Sequence, residues 1–380
     1  MSFKELPLMS EKKGVNLFYP YIPSRAHSAL KKTLKTRWIG QGPMVDKFEK
    51  IFAKKFLNKN KCLAVGSGTD ALHLAYLLAG IKKNDEVISP VFTCTATNIP
   101  LLYIGANIKF ADINPQTMNI DIDSVKKIIT KKTKAIVCVH YGGIPCEMNE
   151  LIQIAKKYNI PIIEDAAQAL GAEYYNKKIG EIGDYTAFSF QAIKHITTGD
   201  GGMLCLRNRQ MNEAKRLRWF GIDRSKKQLG VWKNDIKEIG YKYQMTDIGA
   251  SVGYYGLLDF KKVLQHRRTI YNIYIDKLSK NKKIKIIHDF DEKKKSAAWI
   301  FTISLKEKNY LQKKLREKNI ETNQVHFRND KYSIFKKFSK RNNFPNMDFL
   351  ENRYLVLPVH TKMSFSDAEY VADHINKFIK

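Results

Sequence analysis

The sequence predicts an α/β protein: a large domain built on a mostly parallel sheet, followed by a smaller C-terminal α+β domain. Three observations predict it. From about residue 60, short apolar runs alternate with amphipathic segments, the pattern of strands joined by helices. The chain has 380 residues of which 44% are hydrophobic, enough to bury a substantial core and to form two domains. After Gly202-Met-Leu-Cys-Leu206 the pattern becomes helical, and from about Leu257 it reads as long basic helices with a few strands. The expected division is therefore 1–256, including an N-terminal arm, and 257–380. No internal repeat or low-complexity linker separates the two parts, so they should pack together.

In order, Leu63-Ala-Val65 reads as a strand and Asp70 to Ala79 as a helix. Glu86-Val-Ile-Ser89 is a strand, Thr95 to Tyr103 a helix and Ile108-Lys-Phe-Ala111 a strand. Asp121 to Thr130 is a helix, Ala135-Ile-Val-Cys-Val139 a strand, Met148 to Tyr158 a helix and Pro161-Ile-Ile-Glu164 a strand. Trp299-Ile-Phe-Thr-Ile-Ser-Leu305 is a strand of the smaller domain. In such sheets ligands gather at the carboxyl ends of the strands.

Composition narrows the function classes. The formal net charge of +29, from 66 Lys+Arg against 37 Asp+Glu, raises nucleic acid as a partner. The lysine pairs are scattered along helix faces and loops, however, which reads as a solvated surface without a nucleic-acid partner. The five cysteines form no CxxC pair and no regular framework, so reduced thiols are expected and no metal. Met1-Ser-Phe-Lys-Glu-Leu-Pro opens no signal-peptide-like apolar stretch, and no apolar run approaches a membrane span. The expectation is a soluble, cytoplasmic protein with no membrane partner.

Two segments carry the chemistry. Glu164-Asp-Ala-Ala-Gln168 ends a buried strand in an acid, and Phe188-Ser-Phe-Gln-Ala-Ile-Lys-His-Ile-Thr-Thr-Gly-Asp-Gly-Gly202 leads from a strand into one lysine and a glycine-rich turn. A pyridoxal 5′-phosphate (PLP) site requires this pairing: Lys194 to form a Schiff base with the aldehyde, and Asp165 to face the ring nitrogen. A carboxylate ending an apolar strand needs a cationic or donor partner, which a protonated ring nitrogen supplies. Gln168, at helical spacing from Asp165, is placed to donate to the phenolate oxygen.

Gly66-Ser-Gly-Thr-Asp-Ala71 follows a strand and opens a helix, so the N–H groups of Gly68 and Thr69 can cradle a phosphate. The hydroxyl of Ser189 is placed to join them. Alone, the glycine turn is a weak signal and more often a routine connection. Phe92 could stack on the ring, although an isolated Phe in an apolar context is more often core. Lys194 on composition alone would be a loop lysine; the strand before it and the glycine turn after it argue otherwise.

These residues resemble the DegT/DnrJ/EryC1/StrS family of PLP-dependent aminotransferases acting on nucleotide-linked keto-sugars. The resemblance runs almost end to end, through Trp38-Ile-Gly-Gln-Gly-Pro43, Ser67-Gly-Thr-Asp-Ala-Leu72, Asp85-Glu-Val-Ile-Ser-Pro90, Val139-His-Tyr-Gly-Gly143, Glu164-Asp-Ala-Ala-Gln168, Gly183-Asp-Tyr-Thr-Ala-Phe-Ser-Phe190, Leu217-Arg-Trp-Phe-Gly-Ile-Asp-Arg224 and Leu357-Pro-Val-His360. It implies a PLP-dependent fold type I (aspartate aminotransferase-like) enzyme, a homodimer with active sites shared between subunits. It also implies Lys194 as the catalytic residue, with Gly68, Thr69, Phe92, Asp165, Gln168 and Ser189 holding the cofactor. Where many members have Gly-Tyr-Asn-Tyr-Arg-Met, this chain has Gly240-Tyr-Lys-Tyr-Gln-Met245, so Lys242 stands where an asparagine reaches the partner's cofactor phosphate. His195, beside Lys194, is expected to point elsewhere. The resemblance places His326-Phe-Arg-Asn-Asp330 near the sugar nucleotide, making His326, Arg328 and Asn329 candidate substrate contacts, with Arg328 on the diphosphate.

The implied reaction moves an amino group, from glutamate, to a nucleotide-linked 4-keto-6-deoxyhexose. It gives a 4-amino-4,6-dideoxy sugar for a polysaccharide or glycan, with pyridoxamine 5′-phosphate as the intermediate cofactor form. A 3-keto-sugar aminotransferase, another PLP reaction and a non-enzymatic binding protein on the same fold are the alternatives.

Overall fold

In the computed structural model, which describes residues 14–224, 235–339 and 343–380, the alternation of strands and helices closes into one seven-stranded sheet. Residues 1–13 of the expected N-terminal arm lie outside the described residues. Chain order is α1 (Arg25–Leu34), α2 (Pro43–Phe56), β1 (Lys61–Val65), α3 (Gly68–Leu78), β2 (Glu86–Pro90), α4 (Thr95–Ile104), β3 (Asn107–Ala111), α5 (Ile122–Ile128), β4 (Thr133–Val139), α6 (Met148–Tyr158), β5 (Ile162–Asp165), β6 (Glu173–Tyr174), β7 (Lys177–Lys178), β8 (Tyr185–Ser189), β9 (Gly202–Leu206) and α7 (Met211–Arg218). A 32-residue helix, α8 (Asp247–Leu278), leads into β10 (Lys285–Ile287), β11 (Lys294–Lys295), β12 (Phe301–Ser304), α9 (Lys308–Arg316), α10 (Pro345–Leu350), β13 (Tyr354–Leu357) and α11 (Phe365–Phe378).

The sheet order is β1-β9-β8-β5-β4-β2-β3, with β9 antiparallel to both neighbours and every other adjacent pair parallel. Both faces are covered, which is why the strands read as continuous apolar runs. Val65, Val137 and Ile163 enter one core, while Ala64, Ile136 and Ile162 enter the other. The same alternation separates Glu164 from Asp165 at the end of β5. Glu164 goes to the rear, where Oε2 lies 2.9 Å from His140 Nε2 and Oε1 accepts from the Gly183 N–H at 2.7 Å and the Thr186 hydroxyl at 2.8 Å. Asp165 is left for the front.

The helices start where side chains satisfy their first N–H groups. Ser67 caps α3 by accepting from the Asp70 N–H, and Thr246 caps α8 by accepting from Gly249. The N-terminus of α2 is capped at long range: the buried Asp247 carboxylate accepts from the N–H groups of Gly42, Met44 and Val45 at 2.8, 3.0 and 3.0 Å.

The smaller unit carries the antiparallel sheet β10-β12-β13. Its core gathers Ile303, Leu355, Leu357 and Val371 around the end of α8. The expected boundary at 256/257 falls inside α8. Leu257, Phe260 and Val263 belong to the core behind the large sheet, and Ile270, Tyr274 and Leu278 to that of the smaller unit. The strand expected from Trp299 starts at Phe301 instead, because the N–H groups of Ala297 and Trp299 bond to the carbonyls of Gly143 and Gly142 at 2.9 and 3.1 Å. That detour carries Trp299 to the carboxyl edge of the large sheet.

Candidate active site

The chain leaves β8 at Ser189 and returns to β9 at Gly202 through a loop closed on itself. The Phe190 N–H donates to the Gly201 carbonyl at 2.8 Å and the Thr198 N–H to the Phe190 carbonyl at 2.9 Å. Within it, the Lys194 N–H donates to the Gln191 carbonyl at 2.9 Å, a tight turn that projects the side chain inward. The ammonium lies 4.0 Å from the centre of the Trp299 ring, whose indole N–H is fixed on the Ile193 carbonyl at 3.1 Å. Burial pushes the Lys194 pKa down to about 8; the charges of Asp165 and Cys94 oppose this and Arg267 adds to it. An amine in this range is partly unprotonated near neutral pH, as a nucleophile and proton carrier must be. His195 turns away, its Nε2 donating to the Ala297 carbonyl at 2.7 Å.

Asp165 is buried at the end of β5 with a donor on each oxygen: the Thr97 hydroxyl to Oδ2 at 2.6 Å and the Ala167 N–H to Oδ1 at 3.1 Å. Gln168 has its amide direction fixed, because the Gly142 N–H at 2.7 Å requires Oε1 there. Its Nε2 therefore donates to His326 Nε2 at 2.9 Å, which must be the unprotonated ring nitrogen. Burial, with the charge of Lys194, pushes the His326 pKa down to about 3, in keeping with a neutral acceptor. The His326 ring stacks on Trp299 at 6.4 Å between centroids.

The residues present fit a phosphorylated pyridine aldehyde. The first turn of α3 leaves the N–H groups of Gly68 and Thr69 without intrahelical acceptors. A Cβ on Gly68 would come within 3.0 Å of the Ser189 Cβ, and one on Gly202 within 2.3 Å of the Ser67 carbonyl oxygen. Glycine at these positions lets the helix end sit closely against β8 and β9 beside the Ser189 hydroxyl, and at Gly202 no side chain fits without a shift of the backbone. Amine, carboxylate, amide and anion cradle thus meet at one sheet edge.

Three expected residues are placed differently. Phe92 is 1% exposed and packs its ring against Tyr141, Tyr354 and His326, so it forms wall behind the site and its placement does not support stacking on a ring. Cys94, two residues on, is exposed. Arg328 is 3% exposed and committed to carboxylates: both oxygens of Asp330 at 2.8 Å, Glu351 at 3.2 Å, and Asp348. Asn329 is fully buried, donating to the Thr93 carbonyl at 2.8 Å and accepting from the Asn98 amide at 2.8 Å. Both are pins that dock the 326–330 loop, and burial leaves neither open to a diphosphate.

Lys242 is exposed, its ammonium 5.2 Å from the centre of the Phe220 ring and outside the Lys194 cluster of its own chain. Sequence reasoning missed Trp299 and Thr97. Trp299 lies 105 residues from Lys194 and inside an expected strand; Thr97, in the first turn of a helix after a strand, was visible but carried no distinguishing pattern. Among the described residues, no helix is long and apolar enough to cross a membrane.

A family model for the DegT/DnrJ/EryC1/StrS aminotransferase family matches residues 20–376. The chain is 35% identical over 354 residues to the UDP-4-amino-4,6-dideoxy-N-acetyl-β-L-altrosamine transaminase of Campylobacter jejuni, covering 91% of this chain and 92% of that one. It is 32% identical over 371 residues to the GDP-perosamine synthase of Escherichia coli O157:H7, covering 96% and 99%. Among solved structures it resembles Spr1654 of Streptococcus pneumoniae in its PLP form, with a TM-score of 0.89, 27% identity and coverage of 97% and 100%.

Proposed function

The chain belongs to the DegT/DnrJ/EryC1/StrS aminotransferase family, and from that premise we propose that it transfers an amino group from glutamate to a nucleotide-linked 4-keto-6-deoxyhexose. The observation that carries the reading is the buried amine of Lys194 at the sheet edge shared by Asp165 and the α3 N-terminus. Asp165 would hold the ring nitrogen of PLP, Gln168 the phenolate oxygen, and Gly68, Thr69 and Ser189 the phosphate. Lys242 of the partner subunit would add an ammonium to that phosphate in a homodimer. Pyridoxal phosphate, when bound, supplies an electron sink and a carrier for the amino group.

Lys194 Nζ would take the proton from Cα of the amino donor and return a proton to the carbonyl carbon of the sugar. The net exchange is balanced: glutamate becomes 2-oxoglutarate, and the sugar carbonyl becomes a carbon bearing one hydrogen and an amine. Trp299 packs over the amine and His326 stacks on Trp299, and it is burial that disfavours the charge of the amine. The names of the transaminase and perosamine synthase relatives support a sugar nucleotide and a 4-amino product.

The test is to incubate the purified protein with glutamate and dTDP-, GDP- and UDP-linked 4-keto-6-deoxyhexoses and follow product mass. The expected product has the carbonyl oxygen replaced by an amine. A protein with reducible PLP that aminates only a 3-keto-sugar would move the position; one without PLP would overturn the reading.

A further inference from the structure

Asp165 is 5% exposed, and a carboxylate so buried needs donors on its oxygens. The Thr97 hydroxyl supplies one at 2.6 Å. Thr97 has a single hydroxyl proton and this bond uses it, so in the 2.7 Å contact between the Thr93 and Thr97 hydroxyls the donor is Thr93. The donors therefore run from Thr93 to Thr97 to Asp165, and each bond polarises the next in a site with little solvent.

Both threonines are held from behind. The Tyr76 hydroxyl donates to the Thr97 carbonyl at 2.7 Å, and the Asn329 amide to the Thr93 carbonyl at 2.8 Å. Asn329 in turn accepts from Asn98 at 2.8 Å, and Asn98 accepts from the Ser89 hydroxyl at 2.6 Å. Thr93, Thr97, Asn98, Asn329, Tyr76 and Ser89 are all 1% exposed or less. Such a network has one satisfied arrangement, and Asp165 lies at its open end.

We propose that Thr97 is a positioning residue for the cofactor: backed by Thr93, its hydroxyl fixes the rotation of the Asp165 carboxylate that faces the ring nitrogen. The proposal rests on the reading of Lys194 and Asp165 as a PLP site. Without Thr97 the carboxylate keeps only the Ala167 N–H and is free to turn.

The experiment compares wild type, Thr97→Val and Thr97→Ser for PLP dissociation constant, for the pH midpoint of the visible absorbance band of the loaded protein, and for the melting temperature of the PLP-free protein. Thr97→Val should weaken PLP binding about tenfold, the worth of one charge-assisted hydrogen bond, and shift the pH midpoint. Thr97→Ser should restore both. A Thr97→Val protein that melts earlier yet keeps wild-type affinity and midpoint overturns the role, because the hydroxyl then serves the fold alone. Should Thr97→Val not fold, Thr93→Val takes its place: it removes the donor to Thr97 without touching Asp165, and an unmoved midpoint overturns the proposal. A wild-type protein with no borohydride-reducible band removes the cofactor reading itself. A reducible wild-type band with unmoved variants removes only the part given to Thr97.

Discussion

The amine of Lys194 is held where burial opposes its charge, and that opposition has a sign that can be measured. Its folded pKa of about 8 lies below the ordinary lysine value of 10.5, so the unfolded chain binds more protons between those limits. The PLP-free protein should therefore gain stability as pH rises from about 8 to 10.5, and the cost should be fully present below pH 8. Lys194→Met should abolish turnover while stabilising the PLP-free protein at neutral pH by about 1–3 kcal/mol. Chemical denaturation at several pH values checks this, and an advantage that does not shrink by pH 10.5 would count against the buried amine. Arg328 carries the opposite expectation. Its guanidinium is spent on Asp330, Asp348 and Glu351, and the hydrogen bonds and charges of Asp330 and Asp348 hold its pKa up against burial. Arg328→Ala should cost about 2–3 kcal/mol of stability, discounted for the partly exposed partners. Its KM for the sugar nucleotide should stay near wild type in assays run below its melting temperature; a large rise in KM with unchanged stability would restore it as a substrate contact.

At the scale of elements, the long-range cap on α2 ties the start of α8 to a helix some 200 residues earlier in the chain. Three N–H groups converge on the Asp247 carboxylate, and helix N-termini favour a negative charge. Asp247→Ala should destabilise the fold by about 2–3 kcal/mol, since it leaves buried donors without an acceptor. Asp247→Asn, which keeps an acceptor oxygen but loses the charge, should recover part of that loss in denaturant titration. A loss confined to activity, with full stability, would mean that the cap serves the site and not the helix. The cap also accounts for Gly42, where a Cβ would meet Asp247 Oδ2 at 2.8 Å.

At the scale of the whole molecule, the net charge of +29 is spread widely, and a positive field attracts an anionic sugar nucleotide without specifying it. Specificity would then fall to the neighbourhood of Lys194 and to whatever a second subunit adds. If Lys242 of the partner subunit completes the phosphate site, Lys194→Met and Lys242→Ala proteins should each be impaired alone. When unfolded and refolded together, random pairing puts one intact site in each mixed dimer, so about a quarter of wild-type activity should return. No recovery, from subunits shown to exchange, would place each site within one chain.

The local pattern was enough for the strands and helices from β1 to β5 and for singling out Asp165 and Lys194 as candidates. Those features depend on periodicity and on what a strand end or glycine turn presents, and both are written in neighbouring residues. Met148–Tyr158 has the limits that the pattern gives it. Tertiary contacts settled what residues distant in sequence do to one another. They drew Phe92 into an aromatic wall, turned Arg328 and Asn329 inward as pins, and brought Trp299 over Lys194 and Thr97 onto Asp165. A sequence states which groups can donate, accept or carry charge. Which of them are consumed by one another in the interior follows only from packing, because burial makes every unpaired polar group costly and so forces the pairings that the fold provides.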